Sequence, residues 1–591
     1  MLLKTLLFLA GAQSVFAKCK CTPNDNCWPS VNSWNTLNSS VNGKLVRNEP
    51  IARHCYHGPG YSSELCQSIS SNWTSNVYQA TFPIGYSYPL VECCPPVNAT
   101  VAGYPQCDLG NHPVYTVKAT KAGDVAAGIK FASDNNVRLV IKNTGHDISQ
   151  RSQGYGSLSI WIKSIKDGLH FHDNFIPSNG SCPSNWTGNA ITVGGGYVWQ
   201  DVYDFAGEHG VIAVGGADPT VGVLGGYMQG GGHGPASHFF GLAADQVLEY
   251  KVVLASGELV TANACQYTDL FTALRGGGGG TYGVVLSATI KAHPTRPVLG
   301  HNLDIMALHG NNAAVLNATG NIMSKLAALS DAGYSGTAIL TPISGPLVYT
   351  HPFLNLLENN STSALQRAKD AMNWLILTDL LPHNGTSYLV SSTFTTYPSF
   401  YAYYASQHHT TPGSNRPIMA SQLMTKQTLE SPQNNLTSLL ETITNQTVVP
   451  NSTLWATLFN IVAGGKVLDS VPHTSMNPAW RKAHLLFQQI EVWPENAGTE
   501  EIHQHRSDLT NIKLKAMKDV APDMGTYVNE ADPYDPDWRK NWFGDRYDWL
   551  VSVKKKYDPD NVFWCWRCVG NEGWEEVTGG AWFGPLCETG K

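Results

Sequence analysis

The amino-acid sequence predicts an α+β fold in two domains, preceded by a disulfide-stapled extension. Three observations predict it. A strand-helix-strand run opens at Val114; from there to about Ala292 glycine clusters alternate with β-branched runs; beyond Ala292 the clusters stop and mixed helical and strand-like segments take over. Of the 591 residues, 42% are hydrophobic and 10% aromatic, enough for a sizeable core, so a disordered or coiled-coil chain is excluded. The 38 Lys and Arg against 45 Asp and Glu leave a net charge of −7, which argues against a nucleic-acid partner. The 56 glycines follow no three-residue period, so collagen is excluded and their clustering needs another cause.

Taken in order, residues 1–17 carry Lys4, the apolar run Leu6-Leu7-Phe8-Leu9-Ala10 and the ending Val15-Phe16-Ala17, the pattern of a signal peptide, and no later run is long enough for a membrane span. A secreted protein is expected. Asn-x-Ser/Thr acceptors at Asn38, Asn72, Asn98, Asn179, Asn185, Asn317, Asn359, Asn360, Asn384, Asn435, Asn445 and Asn451 agree with that address. So do the 13 cysteines, whose default fate in an oxidising compartment is the disulfide. The odd count leaves one over, and Cys265, with no cysteine nearby in the chain, is the candidate; Cys565 and Cys568 are expected to be structural half-cystines.

Residues 18–108, rich in Cys, Pro and Asn, form an extension that wraps a body rather than folding alone. Residues 109–293 form the first domain: strand-like Val114–Val117, a helix over Asp124–Asn135 with Val125, Ile129 and Ala132 on one face, strand-like Val137–Ile141, a polar loop to Gly156, then Ser157–Ile162. Residues 294–515 form the second domain, with a helix near Ala364–Ile376, and 516–591 a turn-rich, aromatic last segment.

Glycine between strand and helix permits φ > 0 and lets backbone amides approach a phosphate. The one G-x-G-x-x-G match, Gly278-Gly280-Gly283, is not a dinucleotide fingerprint, because Val284–Ile290 after it is strand-like where a helix is required. His170/His172 and His503/His505 lack a nearby third ligand, so no metal is predicted. The sharper feature is His146 within Lys142-Asn-Thr-Gly-His-Asp147, a lone histidine in a loop.

Three stretches resemble the FAD-linked oxidases of the vanillyl-alcohol-oxidase group, in the berberine-bridge-enzyme-like branch and its secreted fungal isoamyl-alcohol-oxidase-like members. They are Thr144-Gly-His146 with Arg151-Ser152 and Gly154–Ser157; Asp218–His233 with Asp245–Glu249; and Leu274–Val284. Tyr527-Val-Asn529 and Tyr557-Asp-Pro are similar to that branch too. The resemblance implies a two-domain flavoprotein, with a PCMH-type FAD-binding domain to which 516–591 returns and a sheet-plus-helices substrate domain. It also implies that His146 carries the flavin covalently. Lys142, Asn143, Thr144, Gly145, Asp147, Ser152, Gly215, Gly216, Pro219, Thr220, Gly222, Gly225, Gly226, Gly283, Val284, Tyr527 and Asn529 would line the cofactor. Bicovalent members have a Cys where this chain has Asp218, so a single covalent link is expected.

Where sugar and alcohol oxidases of the family place a Tyr after the Tyr-x-Asn triplet, this chain has Glu530. A carboxylate, ionised near neutral pH, can accept a hydroxyl proton while hydride leaves for the flavin. Asp218, Tyr227 and His233 are the substitutes for this base. The expected activity is oxidation of an alcohol or saccharide by a monomeric oxidase, with O2 reduced to H2O2. An O2-inert flavin dehydrogenase, a secreted carbohydrate hydrolase with paired carboxylates and a non-catalytic flavin-fold protein are the rivals; the last two predict a colourless protein or a flavin that never turns over.

Overall fold

The computed structural model describes residues 18–88, 93–96, 107–177, 186–359, 361–407, 417–445, 454–493, 498–578 and 583–589. Residues 1–17, the predicted signal peptide, and the acceptors Asn98, Asn179, Asn185, Asn360 and Asn451 lie outside them. Sheets of four, five and eight strands carry the fold, so the α+β expectation holds.

The four-stranded sheet comes first in the chain. Tyr115–Lys118 and Arg138–Lys142 are joined by the helix Ala122–Asp134, but they are not neighbours; Ser157–Trp161 lies between them, parallel to both. Val125, Ile129 and Ala132 of the helix bury against Val117, Leu139 and Ile160. Gly128 lets the helix approach, since a Cβ there would lie 3.2 Å from the Ile160 side chain. The outer edge comes from the extension, whose strand Leu45–Arg47 pairs antiparallel with Tyr115–Lys118. Its helix Val31–Ser40 stacks Trp34 on Tyr115 at 4.0 Å. The five-stranded sheet is antiparallel, with Val284–Lys291 central between Ala190–Gly194 and Val247–Val253.

The eight-stranded sheet runs, in spatial order, Tyr388–Tyr397, Val298–Ala307, Leu347–Leu356, Thr337–Pro342, Leu454–Asn460, Ala483–Val492, Pro417–Thr425, with the short Tyr334–Ser335 beside Leu347–Leu356. One face is covered by the helix Asn312–Asp331, capped by Asn311, which accepts from the Ala314 amide at 3.2 Å. Side chains alternate along a strand. Leu485 and Phe487 therefore enter the helix-covered core with Met323 and Leu326, while Leu486 joins Trp480 and Trp542 on the opposite side, the side to which Gln488 belongs. Nearby, Arg481 grips Asp245 with two bonds of 2.8 and 3.0 Å.

Disulfides join Cys19–Cys587, Cys21–Cys27, Cys55–Cys66, Cys94–Cys107 and Cys565–Cys568, the last matching the expectation of structural half-cystines. Cys265 is disulfide-bonded as well, which corrects its assignment as the odd cysteine. Distance along the chain is a poor guide to distance across a fold in which Cys19 bonds to Cys587.

Candidate active site

The His146 loop leaves the strand Arg138–Lys142 and turns at Gly145, whose φ is +91°. A side chain there is doubly unwelcome, because its Cβ would also lie 2.7 Å from the Gly85 carbonyl oxygen. Asp147 closes the loop, accepting from the amides of Ser149 and Ser152 at 3.2 and 2.7 Å and from the Ser152 hydroxyl at 3.0 Å. Asn143 receives Trp161 Nε1–H on its carbonyl at 2.8 Å and donates Nδ2–H to Gly195 at 3.0 Å. Its buried Oδ1 has no hydrogen-bond partner among the described residues. Thr144 Oγ1 accepts from the Gly222 amide at 3.3 Å. Lys142 is wholly buried, with Nζ turned to the Phe82 carbonyl at 3.1 Å. Burial, aided by the Lys163 cation, pushes its pKa down to about 7.

His146 Nε2 meets Thr220 Oγ1 at 2.6 Å, and Thr220 gives its hydroxyl proton to Asp218 Oδ1 at 2.7 Å. A threonine hydroxyl has one proton. With that proton on the Asp218 side, Thr220 must accept from His146, so the imidazole carries its hydrogen on Nε2 and keeps a lone pair on Nδ1. Burial is the main cause that lowers the His146 pKa; Lys163 adds to it and Asp218 opposes it.

The residues around Asn529 lock the glycine segments together. Asn529 Nδ2 donates to the Gly226 carbonyl at 2.7 Å and to the Tyr527 hydroxyl at 2.6 Å, its Oδ1 accepts from Arg151 at 2.7 Å, and the Tyr527 hydroxyl donates to the Tyr227 carbonyl at 3.3 Å. A Cβ on Gly222 would come 2.6 Å from Asn143 Cγ, and one on Gly279 would come 3.0 Å from Gly226 Cα. Gly225 packs beside Asn143, Gly216 against Tyr227, and Gly283, ahead of Val284, against Val252, while Gly215 leaves room for the Trp199 ring. The Pro219 carbonyl accepts from the Gln200 amide at 3.0 Å.

In a second group of residues, His233 Nε2 bonds Glu530 Oε2 at 2.8 Å. Gln488 Nε2 donates to the same oxygen. The orientation of Gln488 follows from its neighbours: Thr337 Oγ1 donates to Asn460 Oδ1 at 2.6 Å, and Asn460 Nδ2 donates to Gln488 Oε1 at 2.7 Å, which leaves the Gln488 amide hydrogens for Glu530. The Glu530 backbone is held by Ser421, whose hydroxyl donates to its carbonyl at 2.7 Å. Among the described residues, the side-chain bonds from His233 and Gln488 both go to Oε2 and none to Oε1. Tyr227, by contrast, spends its hydroxyl proton on the His233 carbonyl at 2.8 Å, and burial raises its pKa far from a base's range.

The predicted residues thus form two groups, one around His146, Thr220 and Asp218, the other around Glu530 and His233, joined by the segment Tyr527–Glu530. Sequence reasoning missed Gln488, Asn460 and Thr337, which carry no motif, and Lys554, whose buried ammonium donates to the Thr281 carbonyl at 2.8 Å and so steadies the glycine run before Gly283. A flavin dinucleotide fits what remains open. Asn143 Oδ1 offers an orphaned acceptor, and beside the Arg151 guanidinium, suited to phosphate, a Cβ on Gly278 would meet nothing nearer than 3.9 Å.

Residues 113–263 match the FAD binding domain family, and residues 526–567 the berberine and berberine-like family. The chain is 37% identical over 582 residues to the FAD-linked oxidoreductase apf9 of Gibberella fujikuroi, covering 96% of each chain. It is 33% identical over 582 residues to the VAO-type flavoprotein oxidase VAO615 of Thermothelomyces thermophilus, covering 95% of this chain and 94% of that one. The chain belongs to the VAO-type FAD-linked oxidoreductases. As a VAO-type flavoprotein it superposes on the crystal structure of MtVAO713 from Myceliophthora thermophila C1 with a TM-score of 0.89 and 35% identity, covering 97% of this chain and all of the other. The VAO-type resemblance carried by the His146 loop and the glycine segments is therefore correct.

Proposed function

We propose that this VAO-type flavoprotein is a secreted, glycosylated oxidase that oxidises an alcohol, either a saccharide or an aromatic alcohol, with Glu530 as the base and a single covalent flavin link at His146. The observation that carries the proposal is the geometry of Glu530. Two donors, from His233 and Gln488, converge on Oε2 and occupy its lone pairs, which leaves Oε1 as the oxygen to take the substrate hydroxyl proton. When bound, FAD supplies the hydride acceptor and passes the electron pair on to O2, giving H2O2. Protonated on Oε1, Glu530 then returns the proton to solvent.

For the link, His146 offers Nδ1, the ring nitrogen left with a lone pair, to the flavin 8α carbon. Attachment there would exchange a methyl C–H bond for a C–N bond, with a proton released to solvent and O2 as the two-electron acceptor. Asp218, a carboxylate where a second thioether link would need Cys, serves instead through Thr220 to hold the tautomer. Support for secretion comes from the disulfides, from the absence among the described residues of any helix long and apolar enough to cross a membrane, and from the exposed acceptors Asn72, Asn317, Asn359, Asn384, Asn435 and Asn445.

Acid precipitation of the yellow protein tests the link: flavin should stay with the polypeptide in the wild type and leave it in His146→Ala. An alcohol panel read by anaerobic flavin bleaching, followed by peroxide assay on admitting air, tests the activity. A flavin that no alcohol bleaches would sink it.

A further inference from the structure

Residues 18–108 lie outside both family matches, and their role is open. Within them, the segment Phe82–Tyr88 meets the His146 loop at one residue after another. The Phe82 carbonyl accepts from buried Lys142, whose ammonium lies 5.2 Å from the centre of the Tyr86 ring and 5.1 Å from that of Trp161. The Ser87 amide donates to the Gly145 carbonyl at 3.1 Å. The Tyr86 hydroxyl donates to the Ser152 carbonyl. The Tyr88 carbonyl accepts from Gln150 Nε2 at 2.7 Å, and the Tyr88 ring stands edge-on to the His146 imidazole, 74° between planes and 5.5 Å between centres.

The loop needs such help. From Asn143 to Gly156 it is glycine and polar residues apart from Ile148 and Tyr155, so apolar packing contributes little to holding it. Thr220 fixes one corner of the imidazole, through Nε2. A single hydrogen bond leaves a ring free to swing about it; the Tyr88 edge closes off that swing and so sets where Nδ1 points. We propose that Phe82–Tyr88 is a clamp on the flavin loop, with Tyr88 as the positioning residue for covalent attachment at His146, so that the cysteine-rich extension is part of the cofactor site. The inference rests on the His146 reading above.

The test is the acid-stable fraction of flavin in purified holoprotein, with total flavin and melting temperature measured alongside. An ångström-scale misplacement of a reacting atom costs about 10²-fold in rate. Tyr88→Ala should therefore make attachment about tenfold slower or worse and yield a protein whose flavin is largely acid-released, at near wild-type melting temperature. Tyr88→Phe, which keeps the ring edge, should retain covalent flavin, and Gln150→Ala, a milder change in a polar loop, should fall between. Covalent flavin at the wild-type level in both Tyr88→Ala and Gln150→Ala overturns the clamp. Flavin released by acid from the wild type itself overturns the His146 reading and the attachment role of Tyr88 together, which separates the two failures.

Discussion

Two histidines of the candidate site are tied to carboxylates, and the ties differ. His233 touches Glu530 directly at 2.8 Å, whereas His146 reaches Asp218 through the hydroxyl of Thr220. A direct bond couples the two groups, so that charge on one is felt at once by the other. A relay through a one-proton hydroxyl passes on direction and little charge: it decides which imidazole nitrogen is protonated while burial keeps His146 neutral. The first arrangement suits a group that gains and loses a proton each turnover, the second a group that forms one bond and keeps it.

The largest expected effect breaks the direct tie. Glu530→Gln should slow flavin reduction by about 10³-fold while leaving the flavin spectrum unchanged, as general-base removal typically costs 10²–10⁴-fold; stopped-flow reduction under anaerobic conditions measures it. An undiminished rate would move the base elsewhere. Breaking the relay comes next. Thr220→Val keeps the shape and removes the hydroxyl, and it should slow covalent attachment by about 10–100-fold, the range seen when an outer-shell orienting group is lost. Asp218→Asn should do the same more weakly, since an amide oxygen still accepts from Thr220. Normal attachment in both would show that the tautomer is set some other way.

Gln488→Leu sharpens the comparison from the far side. Losing a hydrogen bond to a charged group costs about 1.5–3 kcal/mol, about 10–100-fold, and should appear in kcat more than in KM. Gln488→Glu sets a second carboxylate against Glu530 and should shift the pH–rate profile to higher pH. The smallest effect concerns a third histidine, one without a carboxylate. Burial lowers the pKa of His112 from 6.5 to about 4, with Lys142 contributing. On acidification the unfolded chain takes up this proton first, so the stability it confers is complete above about pH 6.5 and is lost as pH falls from there towards 4. Burial lowers the pKa values of His293 and His301 as well, so urea unfolding at pH 7 and pH 5 should show a loss that His112→Gln reduces by about 2 kcal/mol.

The two ties also differ in how far the sequence discloses them. Around His146 the determinants are local: Gly145 must turn at positive φ, Asp147 must close on Ser152 five residues later, and Asp218 and Thr220 are two residues apart. Such spacings are visible in a linear string. Gln488, Asn460 and Thr337 come from three strands brought together by sheet order, and alternation along Ala483–Val492 discloses that Gln488 shares a face with Leu486 but not what that face meets. The strand-helix-strand unit was legible from periodicity, whereas the insertion of Ser157–Trp161 between its strands was not, because pairing order leaves no periodic trace. The Cys265 assignment failed for the same reason: a bond between distant segments is a property of the folded path.

The Cys19–Cys587 bridge makes the polypeptide between those residues a covalent ring. A protease that cuts any exposed loop inside the ring cannot part the pieces, because each still hangs from the other across the bridge. Broken once in a protease-rich medium, the molecule would migrate as one species until a reductant opened the ring, and the extension, the His146 loop and the last segment would remain within reach of one another throughout.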